Sequence, residues 1–195
     1  MEILEYVEPI RDRNKIVEVQ KVLIDSSIKY GIRNYLIFQT GINTGLRISD
    51  IINLKVIEVK DHKHIRIREK KTNKINNILI NSPLKKDFEK YIDMNNLQYE
   101  DFLFQSRKGI NIPIKRQSAY LILKKASIKC GLNNIGTHSM RKTYGYHFIK
   151  EHPTKLPELM DLFNHSSQAM TLLYIGISQD KKDTIRKKFF FSSQI

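Results

Sequence analysis

Five side chains in this sequence have the types that act on a phosphate. His138 and Arg141 lie three residues apart, His165 and Tyr174 follow, and Arg47 lies far upstream. An arginine presents a planar fork that fits two phosphate oxygens, and a tyrosine hydroxyl can serve as a nucleophile. If these side chains gather around one phosphate, the chemistry needs no metal ion and no cofactor, and Tyr174 is the nucleophile.

The spacing of these residues sets conditions on the helices that carry them. Residues three apart share a helix face, so His138 and Arg141 can reach the same ligand. His165 and Tyr174 would lie on opposite faces of an unbroken helix, since each residue turns the helix by about 100°. Ser166 and Ser167 favour the start of a new helix between them. The sequence therefore predicts a helix break that lets both side chains face one site.

Arg47 has two interpretations. Thr44 and Gly45 before it indicate a tight approach to a helix start, where free backbone N–H groups attract anions. The alternative is a structural role, either as a surface arginine or in an ion pair with Asp50 at the helix N-terminus.

The elements that must position these residues are mainly helical. A run of β-branched and alternating residues interrupts the helical periodicity and predicts three short strands, with Lys70 to Lys74 at the tip between the second and third. Ser82 and Pro83 predict an N-cap and an N1 proline for the next helix. We expect an α+β domain with one small three-stranded antiparallel sheet. The predicted strands are 56–59, 64–68 and 78–80, and the predicted helices include 14–30, 32–42, 115–130, 138–151, 156–164, 168–175 and 181–190.

The composition points to a polyanionic partner. The formal charge is +14 and the sequence pI is near 9.8, which favours nucleic acid or an anionic membrane face. No apolar run is long enough to span a bilayer, and the first five residues lack the basic region followed by an apolar stretch that is typical of a signal peptide. The single Cys130 precludes an intrachain disulfide and is more consistent with packing than with a nucleophile. These features predict a cytoplasmic protein.

The order of these residues resembles the tyrosine recombinases, the phage-integrase family of site-specific DNA recombinases. The resemblance covers residues 14–178, and its usual glycine before the second histidine is Asn164 here. The matching segments are Thr44-Gly45-Leu46-Arg47-Ile48-Ser49-Asp50, Lys71-Thr72, His138-Ser139-Met140-Arg141, Asn164-His165-Ser166-Ser167 and Tyr174.

The resemblance implies a role for each catalytic candidate. Tyr174 attacks the scissile phosphodiester and forms a 3′-phosphotyrosyl link, while Arg47 and Arg141 bind the nonbridging oxygens and stabilise the transition state. His138 acts as the general base and His165 helps to bind the phosphate.

The general acid implied for the departing 5′ oxygen is a lysine of the strand hairpin. The Lys-Thr pattern favours Lys71, with Lys70 as the alternative.

Further contacts to double-stranded DNA are expected outside this site. The start of the helix at residue 115 lies near DNA in the family, which favours Lys115, Arg116 and Gln117. Asn43 and Lys74 add phosphate contacts.

The resemblance also suggests how the chain is organised. Residues 1–13 form an N-terminal extension, 14–178 the catalytic domain and 179–195 a basic and aromatic tail helix. We expect no N-terminal DNA-clamping domain of the kind that larger relatives carry, so the chain is either a minimal recombinase or a fragment. We expect a homo-oligomer, a tetramer on two DNA sites, helped by an accessory DNA-binding protein or a second recombinase.

The predicted function is that of a site-specific recombinase. Two alternatives stay open, a nicking and resealing enzyme of the topoisomerase IB kind and a non-catalytic DNA-binding or regulatory relative of a recombinase.

Overall fold

The structure, a computed structural model, describes residues 7–68 and 75–187. Most of this part of the chain is helical, as the sequence predicts. The helices are α1 (Arg13–Asp25), α2 (Gly31–Thr44), α3 (Ile48–Ile52), α4 (Ser82–Met94), α5 (Arg116–Lys129), α6 (Thr137–Glu151), α7 (Leu156–Phe163), α8 (Gln168–Tyr174) and α9 (Ile177–Lys187).

The sheet is smaller than predicted. Within the described residues it has two antiparallel strands, β1 (His64–Arg68) and β2 (Ile75–Leu79). The predicted first strand is wrong, because Val56–Glu58 forms a 3-10 turn. Its neighbour Lys55 makes only an isolated bridge to Phe102. A short β-branched run does not by itself distinguish a strand from a buried turn.

The start of α4 also differs slightly from the prediction. Asn81 is the N-cap, and its side-chain oxygen accepts the Leu84 N–H at 2.9 Å. Ser82 and Pro83 are then the first two helical residues, where proline costs no hydrogen bond. Asparagine and serine are comparably good N-caps, so the register slips by one residue.

The main core surrounds α2, whose sides pack against α1, α4 and α6. The contact with α6 is especially close, since a Cβ at Gly41 would lie 2.7 Å from the Met140 Cβ. This crossing brings the end of α2 beside the start of α6, and so brings the segment containing Arg47 near that containing Arg141.

A second, smaller core lies beneath the C-terminal helices. Its buried members come from α6, α7 and the segment around α8 and α9: Tyr146, Ile149, Leu159, Phe163, Ile175 and Ile177.

The segment before α1 is bonded to α6 and α9. The Ile10 N–H donates to the Thr143 hydroxyl at 2.8 Å, and Arg11 forms an ion pair with Asp180 at 2.9 Å. In the part of the chain that the structure describes, no helix has the length and apolar character to cross a bilayer.

Candidate active site

The predicted break between His165 and Tyr174 is confirmed. Helix α7 ends at Phe163, and Asn164 takes the left-handed conformation with φ 52°. Asparagine tolerates this region better than most residues, so it can replace the glycine that the family commonly has there. Ser167 then caps α8 by accepting the Met170 N–H at 3.1 Å. The result is a seven-residue helix, α8, that turns Tyr174 back toward His165, and Gly176 at φ 85° follows it.

Tyr174 is enclosed by aromatic rings and cations. Its ring centroid lies 5.1 Å from that of His165 and 5.7 Å from that of Phe163, both in edge-to-face geometry. Burial raises the pKa of the hydroxyl, while the positive charges of Arg141 and Arg47 and a hydrogen bond with Arg141 act in the opposite direction. At rest the nucleophile candidate is therefore a neutral phenol on which two guanidinium charges act.

Arg141 is fixed from several sides. Its side chain is 5% exposed, and it donates to the Gly45 carbonyl and, at 3.3 Å, to the Leu162 carbonyl. Its guanidinium carbon lies 4.0 Å from the ring centroid of Phe163, within the range of a cation–π contact. The bond to Gly45 ties the start of α6 to the loop that carries Arg47. Gly45 can supply this carbonyl because it ends α2 at φ 66°.

Arg47 lies at the N-cap of α3 and is exposed to solvent. Within residues 7–68 and 75–187 its guanidinium has no hydrogen bond or ion pair. Asp50, the proposed ion-pair alternative, instead accepts a long hydrogen bond from Ser49 at 3.4 Å. The charge of Arg47 nonetheless acts on His138, His165 and Tyr174.

His138 lies in the first turn of α6, where its side chain remains accessible. Partial burial of the imidazole, and then the charges of Arg116, Lys142, Arg141 and Arg47, lower its pKa. A lowered pKa keeps the ring neutral at neutral pH. The ring can therefore accept a proton, as a general base must.

His165 follows the left-handed turn at the end of α7. Its Nδ1 lies 3.0 Å from the Thr171 hydroxyl oxygen. Burial, followed by the charges of Arg141 and Arg47, lowers its pKa. Both histidines are thus held in a cationic environment that an arriving phosphate would neutralise.

Helix α5 packs against α6, and the charge of Arg116 at its start acts on His138. Lys115, Arg116 and Gln117 are all exposed at this helix start, which has no side-chain cap. Free N–H groups and two cations make it suitable for a DNA phosphate.

Asn43, the other predicted DNA contact in the described residues, is engaged within the protein. It donates to the Gln39 carbonyl at 2.9 Å, and its oxygen accepts from Asn81 at 3.3 Å. Its side chain therefore joins α2 to the cap of α4.

Three hairpin lysines, Lys70, Lys71 and Lys74, lie outside the described residues. The general acid and one DNA contact therefore stay predictions from sequence. Across the described ranges, no three His, Cys, Asp or Glu side chains are grouped so that they could hold a metal ion.

Two residues of the site escaped the sequence analysis. Phe163 is fully buried and contacts Arg141, His165 and Tyr174, so it forms the floor of the site. Lys142 lies 5.1 Å from the Tyr174 ring centroid, donates to the Val7 carbonyl at 2.7 Å and has a pKa lowered by burial. The only sequence signal was proximity to predicted site residues. Lys142 directly follows Arg141, and Phe163 lies two residues before His165.

Comparison with known proteins identifies the fold and family. The sequence profile of the phage integrase family matches residues 15–181. The probable integrase/recombinase YoeC of Bacillus subtilis is 41% identical over 184 residues, covering 94% of this chain and 97% of that protein. A tyrosine recombinase of Pseudothermotoga lettingae is 30% identical and is matched over 87% of this chain and 58% of its own length.

Solved structures agree with this fold. The XerH site-specific recombinase, in a pre-cleavage complex with its difH substrate, superposes with a TM-score of 0.70 at 17% identity, over 89% of this chain and 52% of that one. The XerA recombinase superposes with a TM-score of 0.68 at 19% identity, over 94% of this chain and 65% of that one. From its sequence and its fold, this chain belongs to the phage integrase family, the tyrosine recombinases.

Proposed function

We propose that this protein is a DNA strand transferase that cuts and rejoins DNA through Tyr174 in site-specific recombination. One observation carries the proposal. The charges of Arg141 and Arg47 both act to lower the pKa of the Tyr174 hydroxyl, and the His165 ring packs against the Tyr174 ring. A tyrosine whose hydroxyl is acted on by the charges of two guanidiniums suits attack on a phosphodiester better than a structural role in a core.

The bond changes are those that the resemblance to tyrosine recombinases implies. The Tyr174 oxygen bonds to phosphorus, the bond from phosphorus to the 5′ oxygen breaks, and a 3′-phosphotyrosyl link conserves the energy of the diester. Arg141 is already fixed, so it can stabilise the charge of the pentacoordinate transition state without reorganising. Arg47 is exposed at the start of α3, and we propose that it closes on the second face of the phosphate.

Two protons must move for this reaction to balance. The phenol proton passes to His138, whose lowered pKa leaves it neutral and ready to accept. The departing 5′ oxygen takes a proton from the hairpin lysine, assigned to Lys71 with Lys70 as the alternative. Attack by a 5′ hydroxyl from another strand reverses these steps and releases Tyr174.

DNA binding draws on the charge of the whole chain. A net charge of +14 favours a polyanion. Beyond His138, Lys115 and Arg116 extend the cationic surface, and Gln117 adds a polar side chain. We propose that they grip the phosphate backbone beside the cut, and that strand exchange brings several copies together on two DNA sites.

A covalent-capture experiment tests the mechanism. The protein is mixed with nicked duplexes that carry a randomised central segment, so that a cut releases a short strand and traps the adduct. Denaturing gels then reveal protein linked to DNA, and sequencing of the captured strands identifies the preferred site. Tyr174→Phe should abolish the adduct, whereas Tyr146→Phe, a tyrosine of the neighbouring core, should preserve it.

The outcomes separate the rival functions. An adduct that persists in Tyr174→Phe rejects the mechanism. DNA binding without any adduct supports the non-catalytic regulatory relative. Adducts that reseal but never join two different duplexes indicate the nicking and resealing enzyme.

A further inference from the structure

The segment 7–11, which we call the strap, precedes α1 and is hydrogen-bonded to α6. The Ile10 N–H donates to the Thr143 hydroxyl at 2.8 Å, and Nε2 of His147 lies 3.0 Å from the Ile10 carbonyl oxygen. Ile10 and Thr143 are buried, so water does not compete for their hydrogen bond. The strap is therefore fixed on the helix that carries Arg141.

The other side of the strap contacts the turn that follows Tyr174. Arg11 donates from Nε to the Asp180 carboxylate of α9 at 2.9 Å, and Glu8 pairs with the same guanidinium at 3.2 Å. A Cβ at Gly176 would lie 3.0 Å from Nη2 of Arg11. The backbone between α8 and α9 is thus packed directly against this arginine.

These contacts bear on the position of Tyr174. Tyr174 ends α8 and α9 begins at Ile177, so a shift of α9 would move the candidate nucleophile with it. Among residues 177–187 only Ile177 is buried, so α9 depends largely on polar contacts to stay in place. The strap also approaches the nucleophile through Lys142, which donates to the Val7 carbonyl at 2.7 Å and lies 5.1 Å from the Tyr174 ring centroid.

We propose that Arg11 is a positioning residue, which holds Tyr174 at the site by pairing with Asp180. The ion pair fixes the start of α9 against the strap, and the strap is itself fixed on α6. Tyr174 is thereby kept in place relative to Arg141. The catalytic consequence rests on the proposed function, whereas the placement of Tyr174 by the strap does not.

Two variants break the ion pair while changing the net charge in opposite directions. Arg11→Gln removes a positive charge and Asp180→Asn removes a negative one. If these charges acted only on the attraction of DNA, the first variant would weaken binding and the second would strengthen it. If the pair positions Tyr174, both should slow single-turnover adduct formation roughly fivefold at saturating DNA, because each loses one partly buried ion pair. The double variant should be no slower than either single one, since both act through one contact.

The matched control is Arg13→Gln. It removes the same charge two residues further along the chain. The ion pair that it breaks, with Glu151, joins the start of α1 to the end of α6 and not to α9. This variant should form the adduct at the wild-type rate.

Fluorine-19 nuclear magnetic resonance of protein labelled with fluorotyrosine tests the placement of Tyr174 without DNA. The Tyr174 signal is the one lost in Tyr174→Phe. Arg11→Gln and Asp180→Asn should move this signal toward the value of the unfolded chain, whereas Arg13→Gln should leave it unchanged.

The combined results decide the proposal. An unchanged Tyr174 signal or an unchanged rate in both Arg11→Gln and Asp180→Asn, opposite effects of these two variants on the rate, or equal slowing by Arg13→Gln overturns it. If the wild type forms no adduct at all, the proposed function fails while the fluorine spectra still decide whether the ion pair positions Tyr174.

Discussion

The two arginines of the site are held in opposite ways. Arg141 is 5% exposed, bonded to two backbone carbonyls and stacked on Phe163. Arg47 is exposed at a helix start, with no partner for its guanidinium among the described residues. Both charges nonetheless act on His165 and Tyr174.

This difference separates what each arginine contributes to the stability of the fold from what it contributes to phosphate binding. A cation already held in place costs nothing to organise when the phosphate arrives, but its neighbours depend on it for their hydrogen bonds. A free cation contributes little to the fold and can adjust to the ligand. We therefore interpret Arg141 as part of the scaffold and of the site, and Arg47 as part of the site alone.

The largest effect is expected from replacing each arginine by alanine. Arg141→Ala removes the donor of the buried Gly45 carbonyl and of the partly buried Leu162 carbonyl and also removes a cation–π contact, so the free energy of unfolding should fall by about 4 kcal/mol. Arg47→Ala should change it by less than about 0.5 kcal/mol. Both should slow adduct formation by about a hundredfold or more. Urea denaturation and covalent capture measure these effects, and equal stability losses would contradict the comparison.

A second pair of variants tests the glycine that anchors Arg141. Gly45 and Gly131 both have left-handed backbones, at φ 66° and 73°, so alanine should cost each about 1 kcal/mol. At Gly45 the added Cβ would also lie 2.7 Å from a ring carbon of Tyr144, whereas nothing lies within 4 Å at Gly131. Overpacking should cost Gly45→Ala a further ~2 kcal/mol.

Gly131→Ala is thus the control for backbone strain alone. Only Gly45→Ala should also slow adduct formation, because it displaces the carbonyl that holds Arg141. Similar urea midpoints for the two variants would show that Gly45 is not tightly packed.

A third pair separates the floor of the site from the main core. Phe163 and Phe88 are both fully buried, and leucine at either position should lower the free energy of unfolding by about 1.5 kcal/mol. Phe163→Leu should in addition slow adduct formation, since Phe163 supports Arg141 and Tyr174. If Phe88→Leu slows it equally, the loss reflects general stability.

The smallest effect concerns protonation. Burial and then Arg141 and Arg47 lower the pKa of His165, so Arg141→Ala should raise that pKa more than Arg47→Ala does, as read from imidazole shifts. Below the ordinary histidine pKa of about 6.5, the His165 imidazole binds a proton more readily in the unfolded chain than in the folded protein. Stability should therefore decline as the pH falls below that value, and less so in His165→Gln. A midpoint that rises on acidification would contradict this sign.

Local rules account for the parts of the site that the sequence predicted. The shared face of His138 and Arg141 follows from helix geometry, and the break before α8 follows from serine capping. The catalytic roles of these residues stay predictions. The domain fold was accessible because most helices carry a clear apolar period and a recognisable end.

The parts that sequence could not predict depend on long-range packing. Nothing local distinguishes Arg141, which is buried and donates to two backbone carbonyls, from Arg47, which is exposed to solvent. The turn at Val56 was predicted as a strand because a β-branched run is compatible with either structure. Only its tertiary contacts distinguish the two. Phe163 is one of nine phenylalanines, and only the tertiary fold selects it as the floor of the site.

The seven-residue length of α8 has a consequence for the timing of catalysis. So short a helix is unstable alone in water, so its order comes from the Ser167 cap, the Thr171 hydroxyl and the rings around Tyr174. Such a segment is expected to open locally at a lower free energy than the core helices, and its backbone amides should exchange with deuterium sooner. Tyr174 is then ready to react only in the fraction of molecules in which α8 is folded. Amide exchange in α8 measures that fraction.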